Sequence, residues 1–103
     1  MKINTNNAQH YTWGDNCDSW ILAENNQLSV KEEQMPAGAS EQLHYHEKTQ
    51  QFFYMLKGRA IMEMEGENFE LNEKEGIHIP AGKKHRIINN TIEVVQFLVI
   101  SQP

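Results

Sequence analysis

Basic clusters, long apolar runs and paired cysteines are all missing from this sequence, and each absence removes a class of function. Among 103 residues there are 9 Lys and Arg against 14 Asp and Glu, a net charge of -5, and no basic run exceeds Lys83-Lys84. Affinity for a phosphate backbone is built from stacked cationic contacts, so a nucleic-acid partner is not expected. No apolar stretch approaches the length that crosses a bilayer. The opening MKINTNNAQHYTW holds no apolar core of the kind a secretory signal uses, so a cytoplasmic protein without membrane attachment is expected. Cys17, the single cysteine, has no partner for an internal disulfide, which fits a reducing compartment. No neighbour in sequence lowers its pKa, so it is not read as a catalytic thiol. A nucleophile-base-acid triad, a glycine-rich phosphate loop and carboxylates at catalytic spacing are absent as well.

What is present is a succession of short strand-like segments. From Trp20 onward they read WILAE, LSVKEEQM, QLHYH, QFFYML, AIMEM, FELN, GIHIP, HRII and EVVQFLVI. Turn chemistry separates them at Asn25-Asn26, Pro36-Ala37-Gly38, Lys57-Gly58, Gly66, Glu75-Gly76, Pro80-Ala81-Gly82 and Asn89-Asn90. RAIMEMEGENFEL reads as a hairpin, with Ala60, Met62 and Met64 on one face and Gly66 in the turn. Nine strands with these spacings predict an all-β closed barrel or sandwich of the jelly-roll type. The length allows one domain, residues 1–103, in which residues 1–20 are expected as an N-terminal extension or dimer arm and residues 21–101 as the barrel. QFFYMLK and EVVQFLVI are apolar on both faces. Either Tyr11 to Ile21 fold over the outer face or a second copy covers it, and a homodimer is expected.

The residues that carry chemistry are histidines. His44 and His46 alternate, so on a strand they project to one side about 7 Å apart and lean toward one point. Gln51 follows after a polar turn, and His85 comes just after a second Pro-Ala-Gly turn. A bare His-x-His pair is more often an ion-free surface feature than a ligand pair. The longer pattern reverses that balance: Gly38 lies six residues before His44, Gly58 seven after Gln51, and PAGKKHRIIN places Pro80, Gly82, His85 and Asn89 at fixed offsets.

GASEQLHYHEKTQQFFYMLKG and PAGKKHRIIN resemble the two signature motifs of the cupin superfamily. Gln51 stands where the first motif usually has glutamate, and Lys74-Glu75 replace the Gly-Asp pair that opens the second. The resemblance implies a double-stranded β-helix, a jelly-roll barrel, with metal ligands at His44, His46 and His85 and with Gln51 in the acidic position. Gln50, facing the other way, and Glu47, in the turn, are the alternatives for a fourth donor. The implied cofactor is one divalent transition metal. Imidazole-rich ligation suits zinc, nickel, iron or copper, and the loss of a hard carboxylate oxygen turns selection away from manganese and magnesium. A neutral amide leaves the centre one unit more positive than glutamate would, which favours an anionic guest.

Strand parity places Phe53, Met55, Met62, Ile87 and Phe97 around the ion as an apolar pocket lining, and His78 near the barrel mouth as an acid or base. The same parity allows the five apolar residues simply to fill the barrel. Two functions fit: a metal-dependent enzyme, oxygenase-like or isomerase-like, acting on a small organic anion, or a metal-bearing module that binds or senses a small molecule without turnover. An acid-base group within reach of the ligand separates them.

Overall fold

Alternating apolar and polar residues commit most of this chain to extended structure, and glycines or asparagines at positive φ turn it back. The computed structural model describes residues 1–103 and contains nine strands and no helix. These are β1 Gln9–Trp13, β2 Cys17–Glu24, β3 Ser29–Met35, β4 Gln50–Lys57, β5 Ala60–Met64, β6 Glu67–Leu71, β7 Gly76–Ile79, β8 His85–Ile88 and β9 Val95–Gln102. They form an antiparallel six-stranded sheet, ordered β1-β2-β3-β9-β4-β7, and a three-stranded sheet, β6-β5-β8. The molecule is an all-β jelly roll.

The core lies between the inner faces of the two sheets. Met35, Phe53, Met55, Met62, Ile79, Ile87, Val95 and Phe97 are fully buried there, and the inward parity of each strand accounts for which residues these are. The β5–β6 hairpin turns through Glu65 (φ 50°) and Gly66 (φ 82°), the paired left-handed conformation that matches strand twist. Lys74, which stands where the resemblance leads one to expect glycine, takes φ 64°, and its N–H donates to the Met55 carbonyl at 2.8 Å. The lysine therefore occupies the left-handed position itself, against a steric cost of about 1 kcal/mol. Gly76 is required for a different reason: a Cβ there would lie 2.5 Å from the Phe52 ring and 2.7 Å from the Phe53 carbonyl.

Two expectations are corrected. Residues 9–20 are not an arm outside the barrel, because β1 and the start of β2 pair Trp13 with Cys17 through Gln9 with Ile21 and extend the six-stranded sheet beyond β3. The turn between them, with Gly14 at φ 53° and Asn16 at φ 61°, is the hairpin signal in YTWGDNC. This placement also means that Tyr11 to Ile21 do not fold over the outer face of β4 and β9. QLHYH is not a strand in a ladder; that segment forms one isolated bridge, His44 to His85, and the residues just before it a second, Ser40 to Ile88.

Candidate metal centre

Backbone hydrogen bonds bring the three histidines together although they lie on irregular or short segments. His44 N donates to the His85 carbonyl at 3.1 Å, and His85 N returns the bond to the His44 carbonyl at 2.8 Å. The second Pro-Ala-Gly segment makes a tight turn with Gly82 at φ 84°, and the Gly82 N–H donates to the His46 carbonyl at 2.7 Å. The turn thus holds His46 and starts the chain toward His85 in one step. One ring nitrogen from each of His44, His46 and His85 lies within 4.8 Å of the others. Their ring centroids are 4.5 to 5.9 Å apart.

The protonation pattern fits a cation at the convergence point. His44 Nδ1 lies 2.8 Å from the Gln42 carbonyl and His85 Nδ1 lies 2.9 Å from the Lys83 carbonyl. A carbonyl only accepts, so Nδ1 carries the proton in both rings and Nε2 of the neutral ring presents a lone pair. Burial, with the neighbouring imidazoles, holds the pKa values of His46 and His85 below the ordinary value, which keeps these rings neutral as ligation requires. Gln51, inward on β4, donates through Nε2 to Ser101 Oγ at 3.0 Å and aims Oε1 at His85 Nε2 from 3.1 Å. At that separation the amide oxygen and the ring nitrogen are close enough to share one cation. Zinc, nickel, iron or copper suits such a donor set of three imidazoles and an amide oxygen.

His44, His46 and Gln51 open onto a cavity of about 240 Å³ whose wall differs from the expected one, while His85 is buried behind them. Phe53 lines it, with its ring 6.1 Å from that of His85. Met55, Met62, Ile87 and Phe97 do not; all four are fully buried in the packed core, because a barrel this small closes its interior with side chains below the metal centre. His78 is displaced from the centre as well. It pairs across from Phe52 on the opposite face of the sheet, bonds Gln50 Oε1 at 2.8 Å, and lines a separate outer groove with Phe52 and Ile100.

Polar groups that the sequence reading passed over take those places. Lys31 and Glu33 project inward from β3, and Tyr11 and Trp13 from β1, while Glu41 comes from the segment before the histidines. Lys31 and Glu33 share strand parity with buried Met35, so the signal was a pair of charges on the inward face of LSVKEEQM. Glu33 is only 8% exposed. Burial pushes its carboxyl up to about 7; the Ser19 hydroxyl opposes this, the Glu41 charge adds to it, and Lys31 opposes it. Glu41 is also raised by burial, against the hydrogen bond its carboxylate accepts from Ile87 N at 3.0 Å.

Comparison with known proteins agrees with this geometry. The family model described as "Cupin domain" matches residues 31–101. An uncharacterized protein of Methanocaldococcus jannaschii is 32% identical over 75 residues, covering 73% of this chain and 60% of that one. Quercetin 2,3-dioxygenase of Bacillus subtilis is 31% identical over 91 residues, 84% of this chain and 27% of that enzyme. The chain therefore spans less than two thirds of either relative. Among solved structures, a predicted oxalate decarboxylase from Thermotoga maritima superposes with a TM-score of 0.92 at 18% identity, covering 99% of this chain and 98% of that one. An RmlC-like cupin from Shewanella frigidimarina superposes with a TM-score of 0.90 at 16% identity, covering 100% and 90%.

Proposed function

The chain belongs to the cupin domain family, and from that premise we propose a homodimeric, cytoplasmic, metal-dependent enzyme acting on a small organic anion. One divalent transition metal is held by His44, His46 and His85, with Gln51 as fourth donor. The observation that carries this reading is the convergence of three imidazole nitrogens within 4.8 Å, one of them facing the Gln51 carbonyl oxygen. When bound, the ion supplies Lewis-acid polarisation of a ligand oxygen. The chain's own residues do the rest. Gln42 and Lys83 carbonyls fix the ring tautomers, Ser101 orients the Gln51 amide, and Phe53 keeps water from one side.

Glu33 favours proton-transfer chemistry of the isomerase kind. It is a carboxyl on the wall of the same cavity, balanced between its neutral and charged forms near neutral pH, and so suited to holding or moving a proton. The likeness to quercetin 2,3-dioxygenase favours a second reading, oxygenation, which needs no such base. The homodimer is supported by the apolar outer face of β4 and β9, and the cytoplasm by the lone unpaired thiol.

The test is elemental analysis of protein purified without chelator, followed by assays on the loaded protein. One equivalent of metal per chain, lost in His46→Ala, is expected. Solvent deuterium entering 2-oxo acids beside the carbonyl marks the isomerase reading; oxygen uptake with the same compounds marks the oxygenase reading. Metal with neither activity leaves the non-catalytic binding module. Protein that takes up no metal overturns all three.

A further inference from the structure

The cavity lined by His44 and His46 has a second, cationic pole. Lys31 reaches into it from β3, half-buried, and it alone among the lysines and arginines lines this space. Its Nζ donates to Tyr11 Oη at 2.9 Å and lies 5.3 Å from the centre of that ring. No carboxylate pairs with it: the ion pairs of the molecule are His10 with Asp18, Arg59 with Glu70 and Arg86 with Glu63. Burial opposes the charge on Lys31, while Tyr11 and the more distant Glu33 and Glu24 favour it, and because no carboxylate lies within ion-pair distance the ammonium keeps N–H groups for a ligand.

The donors are arranged for an anion with two oxygens. Because the phenol oxygen accepts from Lys31, its own O–H remains free to donate, and the remaining ammonium N–H groups lie beside it. We propose that Lys31 and Tyr11 anchor the carboxylate of a small organic acid whose other end reaches toward His44, His46 and His85. The anchor rests on β1 and β3 alone; the reach toward the imidazoles rests on the metal-centre reading above. Size limits the ligand, since about 240 Å³ corresponds to roughly eight water volumes. Charge favours a carboxylate over a phosphate: one ammonium and one phenol match a planar monoanion, whereas a phosphate dianion would bring a second negative charge for which the pair offers no cation.

Calorimetric titration of the whole chain, zinc-loaded and chelator-treated, tests the anchor. The probes are pyruvate and lactate, the uncharged methyl pyruvate, and inorganic phosphate. Both carboxylates should bind more tightly than the ester and than phosphate. Lys31→Met should weaken them about tenfold or more with zinc content unchanged, Tyr11→Phe should weaken them less, and Lys31→Arg should keep most of the affinity. Wild-type protein that binds methyl pyruvate as well as pyruvate overturns the proposal, as does Lys31→Met protein, folded by circular dichroism, that binds pyruvate as wild type does. Should Lys31→Met fail to fold, unchanged binding by Tyr11→Phe together with loss in Lys31→Arg counts against the paired site. Carboxylate affinity that depends on Lys31 in protein that takes up no zinc keeps the anchor and removes the metal reading; zinc bound at one equivalent with no carboxylate preference does the reverse.

Discussion

Besides Lys31, two residues shape the electrostatics of the cavity, and each can be changed with little effect on its volume. Gln51 provides a neutral oxygen where glutamate would bring a negative charge onto the proposed ion. Gln51→Glu should therefore raise metal affinity and lower affinity for small carboxylates, read by metal competition and by the same calorimetry. Unchanged values for both would show that position 51 does not touch the ion. Glu33 acts through the fold instead. Between its ordinary 4.5 and about 7 the folded chain keeps a proton that the unfolded chain has released. Stability attributable to Glu33 then falls as pH rises through that window, by at most about 3 kcal/mol. His46 and His85, lowered by burial, act with the opposite sign, because the unfolded chain binds their protons first. Comparing Glu33→Gln with wild type, both metal-free, cancels the histidines. The variant should melt close to wild type near pH 5 and above it at pH 8; a constant offset at every pH would mean that Glu33 does not titrate on folding.

Turns, more than strands, assemble this site, and one asparagine carries much of that work. Asn89 is fully buried just after β8. Its Nδ2 donates to the carbonyls of Met35, Pro36 and Glu93 at 2.7 to 3.1 Å, and its Oδ1 accepts from Thr91 N and Oγ1. The first Pro-Ala-Gly turn is fastened by the same residue, since Gly38 N donates to the Asn89 carbonyl at 2.9 Å. Asn89→Ala strips three carbonyls of a partner and should cost about 3 kcal/mol in chemical denaturation, with metal affinity reduced through the displaced His85. A loss below 1 kcal/mol would show that water replaces the amide.

The same elements explain what the sequence made legible. His44, His46, His85 and Gln51 could be placed together because fixed offsets around two Pro-Ala-Gly turns encode their approach, and the β5–β6 hairpin followed from Glu65-Gly66. β1 escaped because GDN lies inside a polar stretch with few apolar alternations, and with it went Tyr11 and Trp13. Met55, Met62, Ile87 and Phe97 were assigned the correct face but the wrong depth: parity gives a side chain's direction, whereas its height relative to the three imidazoles depends on sheet register across β9, β4 and β5, which is a property of the assembled sheets.

At the scale of the whole molecule, the unbalanced feature is the outer face of the six-stranded sheet. Strand register places Val30, Ile100 and Phe52 in one row across β3, β9 and β4, and Trp20, Glu32, Leu98 and Tyr54 in the next across β2, β3, β9 and β4, where Glu32 is the one charge. Phe52 and Leu56 are each 38% exposed. An antiparallel sheet with one wet side normally alternates apolar inward and polar outward, and these central strands depart from that rule where β1 and β2 retain it with His10, Thr12 and Asp18. A twofold contact centred on Ile100 would bury both rows against their copies, and a stable interface needs roughly 1,000 Å² or more. The centre of such a patch carries most of its energy, so one charge there should separate the copies. Ile100→Asp is expected to halve the solution mass from two chains to one in light scattering, while pyruvate binding at the inward-facing Lys31 persists. Wild type that itself weighs one chain removes the dimer; if instead Ile100→Asp remains a dimer, the pairing runs through another surface, and the free edge of β1 is then the next element to block.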